Sequence, residues 1–264
     1  MSPMTSPKRR FVFAALLSTV AISLLSSRSF AQSCPAGDDN MLDWMTLDTA
    51  TSQHLTGPQA LPLYSVLPSD GLFWLLKGDH SGEGYPWDLQ YYDSTYIYQW
   101  ITDSTNSYTD PTNYKAFNSK TGMPWTPICI PEGTSGEKLS SITVPNAQTA
   151  YTAYGPNCAQ GTTQYLGNTV NEVWNYGNLN LDSTTPPGNL GTHPDLQLVY
   201  RYGCDDNYDN CTYKEVFDLM QSYGEVRWTK YKLVSGTYQQ QQQTVFNQLV
   251  SGGSPAPYFP CTMP

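Results

Sequence analysis

Aromatic and acidic side chains crowd the stretch between Trp74 and Trp100, and together they have the chemistry needed to bind a sugar. Pyranose rings place apolar C–H faces against Trp or Tyr rings, while carboxylates accept hydrogen bonds from hydroxyl groups. Glycine and proline within residues 82–86 indicate a loop, where side chains stay accessible. Packing of the rings in a core is the alternative, because half of the side chains in a two-layer β fold point inward. We predict a glycan-binding surface made of Glu83, Tyr85, Trp87, Asp88 and Tyr92.

A second chemistry, hydrolysis of a glycosidic bond, needs two carboxyl groups at a fixed separation, one protonated and one ionised. Among the six glutamates, Glu172 and Glu225 lie close to tryptophans, which could raise a carboxyl pKa by lowering the local dielectric constant. Asp88, beside Trp87, is the third candidate. The alternative function is therefore an extracellular glycoside hydrolase, with Glu172 and Glu225 as acid and base or nucleophile. Exposed strand carboxylates are the simpler interpretation of the same residues.

A metal site is a third chemistry to weigh, because Asp205, Asn207 and Asp209 place oxygen atoms at alternate positions, as in the first half of a calcium loop. The sixth and twelfth positions hold Asn210 and Val216 in place of Gly and Glu, which excludes an EF-hand. A looser calcium site stays open beside a plain turn in which the Asx side chains bond their own backbone. No other cofactor is indicated.

The sequence does not contain the motifs of other common catalytic or cofactor-binding sites. The three histidines, His54, His80 and His193, are dispersed, and the chain has neither a Gly-x-Ser-x-Gly elbow nor a glycine-rich phosphate loop. A catalytic triad, a zinc enzyme and a nucleotide site are therefore not supported.

The first 31 residues resemble an export signal in composition. Lys8, Arg9 and Arg10 precede an apolar run over residues 11–25, and Ser29-Phe30-Ala31 supplies small residues for cleavage after Ala31. The run is short for a membrane span and no later stretch is as apolar, so we expect residues 32–264 to form a single secreted, soluble domain. Lipidation of Cys34 is the alternative, but no large aliphatic residue stands three positions before it.

The net charge of the chain limits the classes of ligand that it is expected to bind. The chain has a formal net charge of −9, and removal of the leader with its four basic residues makes it −13. An acidic surface repels phosphodiester backbones and anionic head groups, so nucleic acid is not an expected ligand and neutral glycans remain.

The six cysteines all follow the leader, an even number that predicts three disulfides in an oxidising compartment. Cys204 and Cys211 enclose a polar loop of six residues and should pair across a strand turn. Pairing Cys34 with Cys261 would tie down both termini and leave Cys129 with Cys158. No cysteine or histidine spacing supports a zinc cluster instead.

The elements that must position these residues are mainly strands. Apolar and aromatic runs predict strands at Leu72–Leu76 and a hairpin of Leu89–Tyr92 with Tyr96–Ile101. Turn residues at Tyr223-Gly224 and Ser235-Gly236 predict a meander in the last third, with Gln239–Gln243 as an exposed loop or edge. Further strands are expected at Ser141–Val144, Thr149–Ala153, Thr163–Leu166, Val170–Tyr176, Leu196–Tyr202, Val216–Met220, Glu225–Val234 and Thr244–Val250.

Three segments are expected to be other than strand. Asp38–Thr56 has the apolar spacing of a short amphipathic helix behind an acidic cap. Residues 103–136 are rich in turn formers and predict loops with one helical turn at Asn113–Phe117, and Gly177–Asp195 predicts a long surface loop. The overall expectation is an all-β fold with a minor helix, an antiparallel β-sandwich of the jelly-roll type with long loops.

Three functions remain after these exclusions. The preferred one is a secreted, non-catalytic glycan-binding module with a neutral polysaccharide as partner. The second is the glycoside hydrolase. The third is a structural or protein-interaction domain of a cell envelope, in which the aromatic residues form the core and exposed strand edges pair with a partner.

Overall fold

The computed structural model describes residues 33–45, 53–57, 63–66, 72–79, 83–92, 94–101, 114–117, 123–148, 150–154, 160–182, 184 and 187–251. All of them belong to one compact unit that spans Gln32–Pro264. In chain order the elements are β1 (Asp38–Asn40), α1 (Met41–Met45), β2 (Gln53–Thr56), β3 (Leu63–Val66), β4 (Leu72–Asp79), β5 (Glu83–Tyr92), β6 (Tyr96–Ile101), β7 (Tyr114–Phe117), β8 (Met123–Pro127), β9 (Cys129–Pro131), β10 (Lys138–Val144), β11 (Ala150–Tyr154), β12 (Gln160–Tyr165), β13 (Asn168–Asn180), β14 (Thr192–Cys204), β15 (Cys211–Met220), β16 (Gly224–Val234), β17 (Thr237–Val245) and β18 (Gln248–Ser251).

Antiparallel sheets dominate the described residues, so the predicted β class is confirmed. A six-stranded sheet has the order β10-β13-β14-β15-β16-β17 and a seven-stranded sheet the order β18-β2-β3-β4-β5-β6-β8. A three-stranded sheet, β12-β11-β7, and the pair β1-β9 complete the set. From β13 to β17 each strand pairs with the next along the chain, which is the order of a meander. The two turns predicted for that meander lie at Tyr223-Gly224 and Ser235-Gly236, as expected.

The main core lies against one face of the six-stranded sheet. It joins that face to α1, β6, β8 and β9, and Trp125 of β8 meets Phe217 of β15 edge to face at 5.2 Å between ring centroids. The fully or nearly buried members are Met41, Leu42, Trp44, Met45, Ile97, Trp125, Ile128, Ile130, Val144, Val173, Leu196, Leu198, Tyr200, Phe217 and Leu219.

A second apolar cluster closes one end of the sheet. Leu55 of β2 and Phe246 pack there with Met220, Val226 and the buried leucines of the 181–190 segment. The segment is folded back by Asp182, whose carboxylate accepts the Gly191 N–H at 3.0 Å with both oxygens. This second cluster therefore covers the Met220 end of the sheet.

The start of the chain departs from the predicted helix. Among the described residues of Asp38–Thr56, only Met41–Met45 is helical, with Asn40 Oδ1 accepting the Leu42 N–H at 2.9 Å as its cap. Asp38–Asn40 pairs as a strand with β9, and Gln53–Thr56 is also a strand. Because Asp38–Asn40 pairs with β9, the helix begins only at Met41. Among the described residues no helix is long and apolar enough to cross a membrane.

Two disulfides are formed among the described residues. Cys204–Cys211 joins facing residues of β14 and β15, as predicted. Cys34 bonds to Cys129, so the pairings Cys34 to Cys261 and Cys129 to Cys158 are wrong. The reason is the β1-β9 pair, which brings the segment after Cys34 beside Cys129. Cys158 and Cys261 lie outside the described residues.

Three predicted loops are wholly or partly strand. Gly82–Asp88 contributes to β5, which pairs with β4 from Glu83 onward. The middle of the chain contains β7, β8 and β9, and the helical turn expected at Asn113–Phe117 is strand β7 instead. The Gly177–Asp195 loop is shorter than predicted, because residues 177–180 pair with residues 192–195. In each case cross-strand hydrogen bonds outweigh the local preference of Gly, Pro and Asn.

Candidate functional site

The predicted glycan-binding residues lie on β5, inside the seven-stranded sheet, and not on an accessible loop. Tyr92 is partly buried and packs against the main core cluster, next to Ile97 on β6. The side chains of Glu83, Tyr85, Trp87 and Asp88 lie outside the described part of the structure. Asp88 pairs with Ile101 of β6, so it belongs to a different sheet from Glu172 and Glu225.

The predicted carboxyl pair is not brought together. Glu172 lies on β13 and Glu225 on β16, three strands away, which is about 14 Å across the sheet. Glu172 is in register with Val199 and Val216, whereas Glu225 faces Leu219, three residues further along β15. An odd offset along one strand places side chains on opposite faces. The two glutamates therefore cannot act on one glycosidic bond.

The face of the six-stranded sheet opposite the main core, here called the outer face, carries two groups of paired charged side chains. Val173, Leu198 and Phe217 are mutual cross-strand neighbours in the core. The residues that alternate with them must point to the outer face, since side chains of a strand alternate sides. These outer-face residues include Glu172, Trp174, Gln197, Val199, Arg201, Lys214, Val216, Asp218, Arg227, Thr229 and Tyr231.

Glu172 is the buried centre of one charged group on the outer face. Its side chain is 7% exposed, and Oε1 accepts from Lys138 Nζ at 2.7 Å and from Arg201 Nη2 at 2.8 Å. Oε2 accepts the Trp174 indole N–H at 3.0 Å. Burial alone would raise the Glu172 pKa, but these hydrogen bonds and the neighbouring cations outweigh it and leave the pKa lowered. Glu172 is therefore a fixed carboxylate and not a proton donor.

Lys214 stands in a different environment beside Arg201. Arg201, Lys214 and Tyr231 face one another across β14, β15 and β16. The Lys214 ammonium lies 4.4 Å from the centroid of the Tyr231 ring and 4.8 Å from that of Tyr238. Burial and then the charge of Arg201 lower the Lys214 pKa. Within the described residues Lys214 makes no ion pair with a carboxylate.

Two partly buried valines form the floor between these groups. Val199 and Val216 are direct cross-strand neighbours in the row of Glu172. The rows on either side carry polar or aromatic residues, with Trp174 and Gln197 in one and Arg201 and Lys214 in the other. The result is an apolar floor with a rim of hydrogen-bonding groups.

A second charged group lies toward the Met220 end. Asp218, with 2% of its side chain exposed, is paired with Arg227 Nε and accepts from Gln197 Nε2 at 2.9 Å. Asp195 stands two residues from Gln197 on the same face. Burial, and then the charge of Asp218, raise the Asp195 pKa to about 7, with partial compensation by Arg227. The Asp195 carboxyl can therefore hold a proton near neutral pH.

The Asp205 loop is a hairpin turn between β14 and β15. Asp205 Oδ1 accepts the Asp209 N–H at 3.0 Å and Oδ2 accepts from Asn210 Nδ2 at 2.8 Å, and these bonds lower its pKa. Among the described residues no group of three His, Cys, Asp or Glu side chains is placed to hold a metal ion. Both Asp205 oxygens are thus bonded within the loop itself, which supports the plain-turn interpretation over a calcium site at Asp205, Asn207 and Asp209.

Sequence reasoning missed the cations and the aspartate pair of the outer face. Asp195 and Arg201 lie on β14 and Lys214 and Asp218 on β15, and only the register of these two strands brings them together. Their alternation with core residues, such as Leu198-Val199-Tyr200-Arg201, is the signal that could have placed them on one face.

Comparison of the chain with protein-family models, with curated proteins and with solved structures finds no match.

Proposed function

We propose that this protein is a secreted, non-catalytic glycan-binding module and that its binding surface is the outer face of the six-stranded sheet. The observation that carries the proposal is the valine floor of Val199 and Val216 with its aromatic and charged rim. Such a surface suits a sugar, because apolar C–H faces need an apolar contact and hydroxyls need fixed donors and acceptors. The predicted residues on β5, from Glu83 to Tyr92, are a second candidate surface for the same function.

Affinity electrophoresis in gels that contain neutral polysaccharides tests the proposal and separates the two surfaces. We expect Trp174→Ala to reduce the retardation about tenfold, because it removes a ring beside the valine floor. Trp87→Ala tests the β5 surface in the same gels. Tyr165→Ala is the matched control, since Tyr165 lies on β12 and is 59% exposed. Absence of retardation in every gel, with native circular dichroism, would reject binding of a neutral glycan.

Export and the third disulfide belong to the same proposal. The two disulfides support an oxidising destination, and the remaining cysteines, Cys158 and Cys261, would complete three bridges. Mass spectrometry of the exported, unreduced protein should give a chain that begins at Gln32 and has lost six hydrogens. A mature chain lipidated at Cys34 or one with two free thiols would contradict this part.

A sandwich is the arrangement that we propose for the two large sheets. It is supported by the core cluster, which draws Ile97 and Trp125 from the seven-stranded sheet and Leu198 and Phe217 from the six-stranded one. The meander order of β13–β17 favours stacked meanders over the Greek-key connections of a jelly roll.

A hydrolase is the second candidate, and the aspartate pair is the observation that favours it. Burial and the charge of Asp218 raise the pKa of Asp195 to about 7, so this carboxyl can hold the proton of a general acid near neutral pH, and Asp218 lies close by, paired with Arg227. Release of reducing ends from polysaccharides that is abolished by Asp195→Asn would establish it. Equal release by wild type and variant would reject it.

A further inference from the structure

Among the described residues, the charged group around Glu172 contains more positive than negative charge. Lys138 and Arg201 share the Glu172 carboxylate, and Lys214 stands beside Arg201. Three cations and one carboxylate leave a local excess of two positive charges, in a chain whose net charge is −9. A local excess of positive charge attracts anions, so we expect it to bind an anionic group from outside the described residues.

The donors of this group are only partly used. Arg201 donates through Nη2 to Glu172, while its Nε is buried without an acceptor among the described residues. Its side chain remains 20% exposed, so the guanidinium borders the surface. Lys214 contacts aromatic rings but no described carboxylate. The pair can therefore supply charge-assisted hydrogen bonds to one more anion.

The surroundings indicate the size and kind of that anion. Tyr231 and Tyr238 flank Lys214, and the valine floor lies directly beside it in register. The Val199–Val216 row is two residues from the Arg201–Lys214 row, about 7 Å along the strands, so a sugar ring on the floor would lie next to both cations. Although the protein as a whole is acidic, the Debye length of about 8 Å at about 0.15 M salt screens its distant charges, so carboxylates on this face interact mainly with the nearby cations.

We propose that the outer face binds a carboxylated saccharide, a uronic acid unit of a polysaccharide, with Lys214 and Arg201 as the carboxylate-binding pair. The inference rests on the proposed glycan-binding function and specifies its ligand class. Lys214 is the residue whose substitution tests it most cleanly, since Arg201 also neutralises Glu172 and its loss would disturb the fold.

The experiment compares polygalacturonate with methyl-esterified polygalacturonate, which has the same backbone without charge, and with dextran sulfate. In affinity gels at about 0.15 M salt, we expect the wild type to bind polygalacturonate about tenfold more tightly than the esterified polymer. Lys214→Met should remove this preference. Lys232→Met is the matched control, because Lys232 is an exposed lysine over the Tyr213 ring and lies on the opposite face of the sheet.

Each result has one meaning. Equal retardation by the charged and esterified polymers keeps glycan binding and overturns the carboxylate assignment. Equal losses in Lys214→Met and Lys232→Met, or dextran sulfate binding as tight as polygalacturonate binding, show a general charge effect and also overturn it. Retardation by none of the polymers, with native circular dichroism, overturns both the inference and the proposed function.

Discussion

The two faces of the six-stranded sheet differ in chemistry although they belong to the same strands. On β15, Phe217 and Leu219 enter the core, while Lys214, Val216 and Asp218 between and before them point to the outer face. On β14, Leu196, Leu198 and Tyr200 are buried, and Gln197, Val199 and Arg201 alternate with them. One strand thus supplies packing on one side and charge on the other.

Residues of the two faces alternate along each strand but have different roles: the core face stabilises the fold, and the outer face is the proposed binding surface. The core face gains free energy from apolar area removed from water, which depends on shape and not on pH. The outer face holds buried or half-buried charges, whose contribution depends on their partners and on protonation. Neighbouring positions on one strand should therefore respond to substitution in different ways.

The largest contrast is expected between Phe217 and Val216. Phe217→Ala should lower the free energy of unfolding by about 4 kcal/mol, because it leaves a cavity against Trp125. Val216→Ala, next to it on the outer face, should cost about 1 kcal/mol or less, because this valine is only partly buried. Urea denaturation with equal m-values measures both, and similar losses would contradict the assignment of faces.

The next effect concerns the buried carboxylate. Glu172→Gln should lower the free energy of unfolding by about 2 to 3 kcal/mol at pH 7, because it leaves Lys138 and Arg201 without their counterion. Since the folded pKa is below the ordinary 4.5, this contribution is present above pH 4.5 and is lost as the pH falls through the folded value. Glu132→Gln, an exposed control, should change stability by about 0.5 kcal/mol or less.

The contribution of Asp195 to stability should depend on pH in the opposite sense to that of Glu172. Its folded pKa of about 7 exceeds the ordinary 3.8, so the folded state binds more protons and stability falls as pH rises from 3.8 to 7. Asp195→Asn removes this penalty and, because the group is partly exposed, should stabilise the protein at pH 8 by on the order of 2 kcal/mol. Thermal melts at pH 4 and pH 8 measure it, and an equal difference at both pH values would refute the shift.

The smallest effect is expected for an ion pair at the open end of the core face. Lys230 Nζ lies 3.8 Å from Glu215 Oε1, and Glu215 also accepts the Trp228 indole N–H at 2.9 Å. Lys230→Gln should therefore cost about 0.5 kcal/mol or less, within the range of half-exposed pairs. A loss as large as that of Glu172→Gln in the same denaturation series would remove the distinction between the faces.

The strands of the last third could be predicted because their local signals agree with one another. Polar and apolar residues alternate along β14 to β16, and the turn residues Ser235 and Gly236 have positive φ angles of 49° and 80°, as a tight turn requires. The Gln239–Gln243 tract was predicted as a loop or edge, and it lies on β17, at the edge of the described sheet.

The outer-face surface could not be predicted, because it depends on the register of neighbouring strands, which the sequence pattern alone does not fix. Arg201 faces Lys214, and Lys214 faces Tyr231, only in this alignment, and a slip by one residue would turn each side chain to the other face. The loop predicted around Glu83 fails for a related reason, since Gly84 and Pro86 pair with β4 in spite of their local preferences. The bond from Cys34 to Cys129 likewise follows from a contact between remote segments.

That bond gives the polypeptide the topology of a large covalent ring. Cys34 and Cys129 are 95 positions apart, and β2 to β8 lie within the enclosed part of the chain. A protease that cuts this part once would leave two fragments still tethered, so the nick would appear on an electrophoresis gel only after a reducing agent is added. During synthesis the first thiol emerges well before its partner, so the ring can close only when the ninth strand has been made.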